Sequence, residues 1–365
     1  MEEIKVDLGE RSYKILVDSG NLKDIGKTLK DYHLGKKATI ITNPIVGDLY
    51  QDVVKDSLRK EGFEVAIARV PDGEEYKSLE WAAKLYDELL EHKRDRYSFI
   101  LALGGGVIGD LAGFVASTYM RGIPFIQVPT SLLAQVDASI GGKVAVNHPL
   151  GKNLIGSFYQ PRLVYTDLAV LKTLAHRELI AALAEVIKYG IIKNREFFDY
   201  LETNIDRVKT LNPNVLKKMV AVCTRIKSEL VSLDEREEKG IRSIINYGHT
   251  IGHALEVLSE YKVYRHGEAV SIGMVAAARI ARRMGILNEE GERRQIELLE
   301  KAGLPTGIKG IVPSKIIKAL ARDKKVKEGK IRFILATEIG KVETRDDVPP
   351  EIIKEVLQEI TAENR

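Results

Sequence analysis

A chain of 365 residues with one cysteine, Cys223, can build neither an intrachain disulfide framework nor a cysteine-rich zinc site. That usage fits a reducing compartment, so a cytoplasmic location is expected. No apolar run approaches the ~18 residues of a membrane helix, and the opening MEEIKVDLGERSYKI does not read as a secretory signal. No contact with a membrane is expected. Repeats and low-complexity segments are absent too. So is an excess of one charge: 56 basic and 52 acidic residues leave a net +4. A dedicated nucleic-acid binder would cluster basic residues, so that class is set aside. An anionic small molecule held by local lysines and arginines remains compatible. What the chain does have is 44% apolar and 30% charged residues, enough for a sizeable core. Its length suggests two domains or one large one.

Up to about residue 165, strand and helix patterns alternate. Ile4–Leu8 and Tyr13–Val17 read as a hairpin around Gly9-Glu10. Strands follow at 37–42, 64–70, 98–103 and 125–128, with helices at 22–34, 48–61 and 78–92. This order predicts an α/β, Rossmann-like N-terminal domain over 1–165, with a mostly parallel sheet. The strand SFILAL runs into Gly104, Gly105, Gly106, Val107, Ile108, Gly109 and Asp110, then into a helix. GxGxxG in that setting suits a nucleotide phosphate, because glycines admit the backbone and the helix N-terminus offers N–H groups. A tight helix–strand turn is the plainer alternative. The acidic residue that usually follows about 20 positions later is missing, since that stretch is Phe125-Ile126-Gln127-Val128. The polar loop Asp72, Gly73, Glu74, Glu75, Tyr76, Lys77 follows a strand, and strand order places it at the same carboxyl end of the sheet, where ligands bind. A carboxylate there could hold ribose or adenine donors, or the loop could be a solvated turn. PTSLLAQVDASIGGKVAVN and GKNLIG then crowd glycine, hydroxyl groups, Lys143 and Lys152 into loops suited to phosphate or carboxylate groups.

From 166 to 365 helices dominate, at 176–193, 195–203, 213–231, 246–260, 267–284, 289–302, 314–321 and 349–362, with a late strand pair at 331–337 and 340–344. This predicts a second, mainly α-helical domain that binds metal and substrate. Helix 177–190 is apolar or small on all sides, so its Glu185 and Lys188, about 60° apart, should be buried with it. Buried charges need partners or a metal. A simple i, i+3 ion pair would serve. In NYGHTIGHALEVLSEYKVYRHGEAVSIGM, His249, His253 and Glu256 share one helix face, within about 60° of arc. His266 opens the next helix. An i, i+4 histidine pair with a third histidine can converge on a divalent ion, and so can two histidines with Glu185. Three structural histidines are the bland alternative.

These motifs, in this order, resemble the 3-dehydroquinate synthases of the shikimate pathway, members of the sugar phosphate cyclase superfamily. GGGVIGDLAGFVAS, PTSLLAQVDASIGGKVAVN, GKNLIGSFYQP, AEVIKYG, DEREEKGIRSIINYGHTIGHALE, HGEAVSIGM and DKKVKEGKIRFIL carry the likeness over most of residues 70–335. The first 60 residues match in pattern only. The resemblance implies conversion of 3-deoxy-D-arabino-heptulosonate 7-phosphate to 3-dehydroquinate and phosphate. The course is transient NAD-dependent oxidation, phosphate elimination, reduction and intramolecular aldol closure. It implies bound NAD and Zn²⁺ (or Co²⁺) and a homodimer. It places the metal ligands on Glu185, His249 and His266, and gives His253 a proton-transfer role near the phosphate. Lys143, Lys152, Asn153 and Arg121 match phosphate- and substrate-contacting positions, Arg121 acting from a second subunit. Lys227 and Arg242 match carboxylate binders, and Asp137, Lys188, Glu238 and Asn246 match polar positions that orient these groups. Lys324 or Lys325 matches a lysine that reaches the phosphate. The NAD contacts fall on Asp72 to Lys77, Gly105 to Asp110, Thr130, Ser131, Lys143, Lys152, Val170, Leu171, Lys172 and Thr173. Ser131 stands where threonine is common, and Val144 where a small hydroxyl residue is more usual. Neither affects the expected reaction. The competing readings are a cyclase making an inosose or valiolone, a metal-dependent polyol dehydrogenase, and a non-catalytic binding module.

Overall fold

The structure is a computed structural model that describes residues 1–260, 262–322 and 331–362. The chain forms two compact units. One comprises Met1–Leu174 and Leu216–Arg236, the other Ala175–Val215 and Glu237–Arg365.

The first unit is built on a seven-stranded sheet. Its strands are β1 (Glu2–Val6), β2 (Tyr13–Asp18), β3 (Lys37–Thr42), β4 (Glu64–Arg69), β5 (Phe99–Gly104), β6 (Phe125–Pro129) and β9 (Leu163–Asp167). Their spatial order is β1-β2-β9-β6-β5-β3-β4, and every pairing but β1–β2 is parallel. The sequence explains the placement. FILALG, FIQVP and LVYTD are buried at every residue, as inner strands covered on both faces must be, whereas β1 and β4 alternate as edges do. Helices α1 (Ile25–Leu29), α2 (Pro44–Lys60), α3 (Leu79–Glu91) and α4 (Gly106–Thr118) cover the sheet. Asn43 and Ser78 cap α2 and α3 through their side chains, with Pro44 at the first turn of α2.

Among its described residues the second unit holds α5 (His176–Lys193), α6 (Arg195–Lys209), α8 (His249–Leu258), α9 (His266–Arg283), α10 (Glu289–Ala302), α11 (Pro313–Arg322) and α12 (Pro350–Ala362), with a hairpin of β10 (Phe333–Glu338) and β11 (Lys341–Arg345). Glycines set its closest helix contacts. A Cβ on Gly273 of α9 would sit 1.9 Å from the Gly248 carbonyl oxygen, and one on Gly267 would sit 1.8 Å from that of Ala181 in α5. Backbone meets backbone there, and only glycine fits.

Four features depart from the sequence expectations. The glycine- and lysine-rich run after Ser139 forms a hairpin, β7 (Lys143–His148) paired antiparallel with β8 (Gly151–Phe158). Residues 22–34 make 3₁₀ turns on either side of the short α1 instead of one long helix. The helix expected from 246 begins at His249, because Gly248 adopts φ +79° and Ile241–Asn246 is a 3₁₀ turn. Most of α7 (Pro213–Leu233), read as part of a second domain over 166–365, belongs to the first unit. There Lys217 pairs with Asp18 at 3.1 Å, Arg225 with Glu2 at 2.6 Å, and Ser232 Oγ accepts from Asp7 N–H at 2.9 Å.

Candidate active site

In the first unit, the residues singled out for a nucleotide gather at the carboxyl ends of parallel strands: 72–77 beyond β4, 104–110 at β5, 130–131 after β6 and 168–173 after β9. Gly104 and Gly109 are glycine for packing, since a Cβ would meet Ile108 at 2.7 Å and Gln127 Oε1 at 2.8 Å. Gly105 and Gly106 are different. Their nearest neighbours to a Cβ lie at 3.5 and 3.4 Å, and neither needs a left-handed backbone. The fold alone does not require glycine there, whereas a phosphate approaching the α4 N-terminus does. No side chain caps that terminus.

Around it, Lys77 Nζ lies 3.1 Å from Asp110 Oδ2 and 3.2 Å from Glu74 Oε1. Burial works against the Lys77 charge, but Asp110 and Glu74 outweigh it and raise its pKa. Burial pushes the Asp110 carboxyl up to about 6 against the pull of Lys77. Asn147 Nδ2 donates to Glu74 Oε1 at 2.8 Å, and its Oδ1 accepts from Asn153 N–H at 3.0 Å. Asn153 holds φ +55°. Lys152 Nζ is 3.9 Å from Glu74 Oε1. The β7–β8 turn and the 72–77 loop are thus one hydrogen-bonded group. Ala134–Ala138 form a π-helical turn, a form that recurs at functional sites. Its Asp137 accepts from buried Lys227 Nζ twice, at Oδ1 (2.6 Å) and at the backbone oxygen (2.7 Å). Two contacts escaped the sequence reading. Asn43 Nδ2 donates to Asp72 Oδ1 at 2.5 Å, and Tyr50 OH lies 2.6 Å from Thr173 Oγ1. Carboxyl-end logic applied to β3 would have found Asn43, whose Asn-Pro pair signalled only a turn.

In the second unit, Glu185, His249 and His266 each offer a ligand atom within 4.8 Å of the others. His249 Nε2 and His266 Nε2 lie 3.5 and 3.4 Å from the same oxygen, Glu185 Oε1. Lys188 Nζ contacts the other oxygen, and both Glu185 and Lys188 are fully enclosed, as the all-apolar helix implied. Each imidazole is held from behind. His249 Nδ1 donates to Tyr247 O at 3.1 Å, and His266 Nδ1 to Glu256 Oε2 at 3.3 Å. Those bonds hold a proton on each Nδ1 and turn both Nε2 atoms toward Glu185, where the charged His266 donates and a bound metal would take the place of that proton. Burial alone would raise the Glu185 pKa, but Lys188 and the two imidazoles hold it well below the usual carboxylate range. Burial, reinforced by Lys188, drives His249 well below its ordinary value. Burial opposes a charged His266 as well, yet hydrogen bonds to Glu185 and Glu256 push it up to about 10. The same carboxylates favour a divalent cation. Two imidazole nitrogens and a carboxylate oxygen fit a zinc- or cobalt-type ion with open positions for substrate oxygens.

Two family profiles match consecutive stretches of the chain: the 3-dehydroquinate synthase N-terminal profile over residues 67–181 and the C-terminal profile over 182–326. The chain belongs to the 3-dehydroquinate synthase family. The 3-dehydroquinate synthase of Thermodesulfovibrio yellowstonii is 50% identical over 360 residues, covering 98% of this chain and all of that protein. Among solved structures, a 2-deoxy-scyllo-inosose synthase complexed with carbaglucose-6-phosphate, NAD⁺ and Co²⁺ superposes with a TM-score of 0.89 at 30% identity, over 98% of this chain and 100% of that one. A 2-epi-5-epi-valiolone synthase from Streptomyces hygroscopicus subsp. jinggangensis 5008, with NAD⁺ and Zn²⁺ bound, gives 0.89 at 28% identity over 98% and 99%.

Other residues that the likeness to 3-dehydroquinate synthases singled out are placed as follows. His253 stands beside the cluster, its ring 5.2 Å from His249 and 6.3 Å from His266, and offers no atom to the ligand set. Arg242 is buried, with Nε 3.3 Å from Glu237 Oε1. Asn246 ends the 3₁₀ turn before α8, and Glu238 is exposed. Arg121 lies beyond the C-terminus of α4, about 20 Å of helix away from the glycine loop at its start. It is exposed, and Met120, Arg121 and Gly122 all hold positive φ, at 50°, 68° and 113°. Lys324 and Lys325 lie outside the described residues.

Proposed function

We propose that this chain is a 3-dehydroquinate synthase, converting 3-deoxy-D-arabino-heptulosonate 7-phosphate to 3-dehydroquinate and inorganic phosphate. The observation that carries the reading is the family match over both halves of the chain, with the Glu185–His249–His266 cluster intact. NAD would lie along the carboxyl ends of the first unit's strands, on Asp72 to Lys77, Gly105 to Asp110, Thr130, Ser131 and Val170 to Thr173. A zinc or cobalt ion would be held by Glu185, His249 and His266. When bound, the two supply a recyclable hydride acceptor and a Lewis acid for substrate oxygens.

The chain's own side chains do the rest. Lys143, Lys152 and Asn153 bind the substrate phosphate; Lys143 opens β7, and the left-handed Asn153 backbone aims the turn end of the hairpin, which carries Lys152 and Asn153. Lys227 and Arg242 bind the carboxylate, Arg242 by its planar fork. Asp137 fixes Lys227, and Glu237 steadies Arg242. His253, next to the cluster but outside it, moves a proton at the phosphate-bearing end. Glu238, Asn246 and Lys188 orient the bound groups. Carboxylate recognition separates this reading from an inosose- or valiolone-forming cyclase. The cationic array separates it from a polyol dehydrogenase, which would also release its NADH. The test is phosphate release from the heptulosonate phosphate with NAD⁺ and Zn²⁺. One phosphate per substrate is expected, with no NADH accumulating. Absent phosphate, or NADH rising in step with substrate loss, would sink it.

The active species is a homodimer with Arg121 crossing between subunits, and its compartment is the cytoplasm, in keeping with the single cysteine. Arg121's place at the far end of α4 supports the dimer. So does β8, whose outer edge pairs with no strand among the described residues and exposes Leu154 and Phe158. Mixing and refolding Arg121→Ala and His253→Ala chains, each nearly inactive, is expected to restore one good site per heterodimer. No recovery, with heterodimers shown by mass, would exclude a shared arginine.

A further inference from the structure

The two imidazoles of the cluster are held from behind by different chemistry. Behind His249 stands a neutral backbone carbonyl, that of Tyr247. Behind His266 stands a carboxylate, Glu256. Glu256 is 8% exposed, and it sits on α8, the helix that begins with His249. Seven residues, close to two helical turns, return it to the His249 side of α8. Its Oε2 contacts Nδ1 of His266, while Glu185 Oε1 contacts Nε2 of the same ring. The ring is therefore gripped at opposite nitrogens by two carboxylates with separate tasks. Glu185 shares the ligand side. Glu256, on the far side, is not one of the three ligand groups that converge.

We propose that Glu256 is a positioning residue for the metal centre: it fixes the His266 ring and tautomer and strengthens Nε2 as a donor. This rests on the metal reading above. An imidazole that donates Nδ1–H to a carboxylate is a better electron donor at Nε2 than one hydrogen-bonded to a neutral carbonyl, and its ring cannot swing away. The geometry also couples two ligands through one helix. Helix α8 carries His249 directly and holds His266 through Glu256, so His266 is tied to α8 as well as to α9.

The experiment titrates metal-stripped full-length protein with Co²⁺, reading visible absorption and, by competition, Zn²⁺ affinity, with thermal unfolding of the stripped protein in parallel. Wild type and His266→Ala come first. Wild type is expected to take one Co²⁺ per chain and His266→Ala none. Failure there overturns the metal reading and this inference with it. Given that result, Glu256→Gln, which keeps size and an acceptor oxygen but removes charge, is expected to weaken affinity about 10-fold, and Glu256→Ala about 100-fold. Both should alter the Co²⁺ spectrum, because the ligand field at Nε2 changes, while the stripped variants still unfold in one cooperative transition. Wild-type affinity and spectrum in both variants would overturn the role of Glu256 and leave the metal reading standing. An affinity loss with an unchanged spectrum, matched by an equal loss of melting temperature, would show a structural role only and overturn it as well.

Discussion

Glu185→Gln is expected to leave the protein without retained metal and less stable by about 3–5 kcal/mol. Two effects coincide because the two oxygens of Glu185 face different partners. On one oxygen it meets both histidine Nε2 atoms. On the other it meets Lys188, which is itself 0% exposed. A glutamine amide is a poor metal ligand, and it leaves the ammonium buried without a counter-charge, the costly half of a broken buried pair. The double variant Glu185→Gln, Lys188→Met separates the effects. Replacing both charges by neutral groups of similar volume removes the desolvation cost along with the attraction, so stability should return to within about 1 kcal/mol of wild type. Metal should not return. Metal content and urea unfolding measure the two separately. Stoichiometric metal in Glu185→Gln would refute the ligand assignment. Equal stability of the single and double variants would refute the buried-pair argument.

A single methyl group on Gly267 is expected to weaken metal binding at least as much as losing Glu256. Inside a helix, alanine is favoured over glycine by roughly 1 kcal/mol, so propensity alone makes Gly267→Ala stabilising. The contact reverses the sign. The added Cβ would lie 1.8 Å from Ala181 O and 2.6 Å from Ala181 C, backbone atoms that cannot rotate aside. Helix α9 must shift off α5. His266 is the residue before Gly267, and Glu185 lies one turn beyond Ala181, so the shift opens the pair the metal would join. An overpacking cost of about 1–3 kcal/mol should accompany the lost affinity. A Gly267→Ala protein that binds Co²⁺ like wild type would show that the helices tolerate the methyl and that the spacing argument is wrong.

Much of this was legible in the chain because the strongest signals are short-range. Inner strands announce themselves as unbroken apolar runs, and helix 177–190 betrays its buried Glu185 and Lys188 by having no polar face. What stayed hidden depends on how elements approach one another. The spacing of His249 and His253 puts both on one face of α8 but does not say which ring meets Glu185. That depends on where α9 lies, and its position follows from glycine contacts with α5 and with Gly248. Glu256 was visible on the same face, yet its task appears only when the far nitrogen of His266 is located. The β7–β8 hairpin escaped because β8 has no buried residue, so no alternation marks it. The π-helical turn at Asp137 has no sequence period of its own.

The place of α7 governs when the protein can assemble during synthesis. The first unit takes in Leu216–Arg236 and omits the 41 residues between, and its opening hairpin is bonded to partners more than 200 positions later: the Glu2 side chain to Arg225, the Asp7 backbone N–H to Ser232, the Arg11 side chain to Glu235. A nascent chain halted at residue 181, where the first family profile ends, therefore has its whole sheet but not the helix that is bonded to the β1–β2 edge and carries Lys227. The first unit is complete only once α7 has been made, and α5 and α6 are made before it. Contacts of such long sequence separation fold late and slowly.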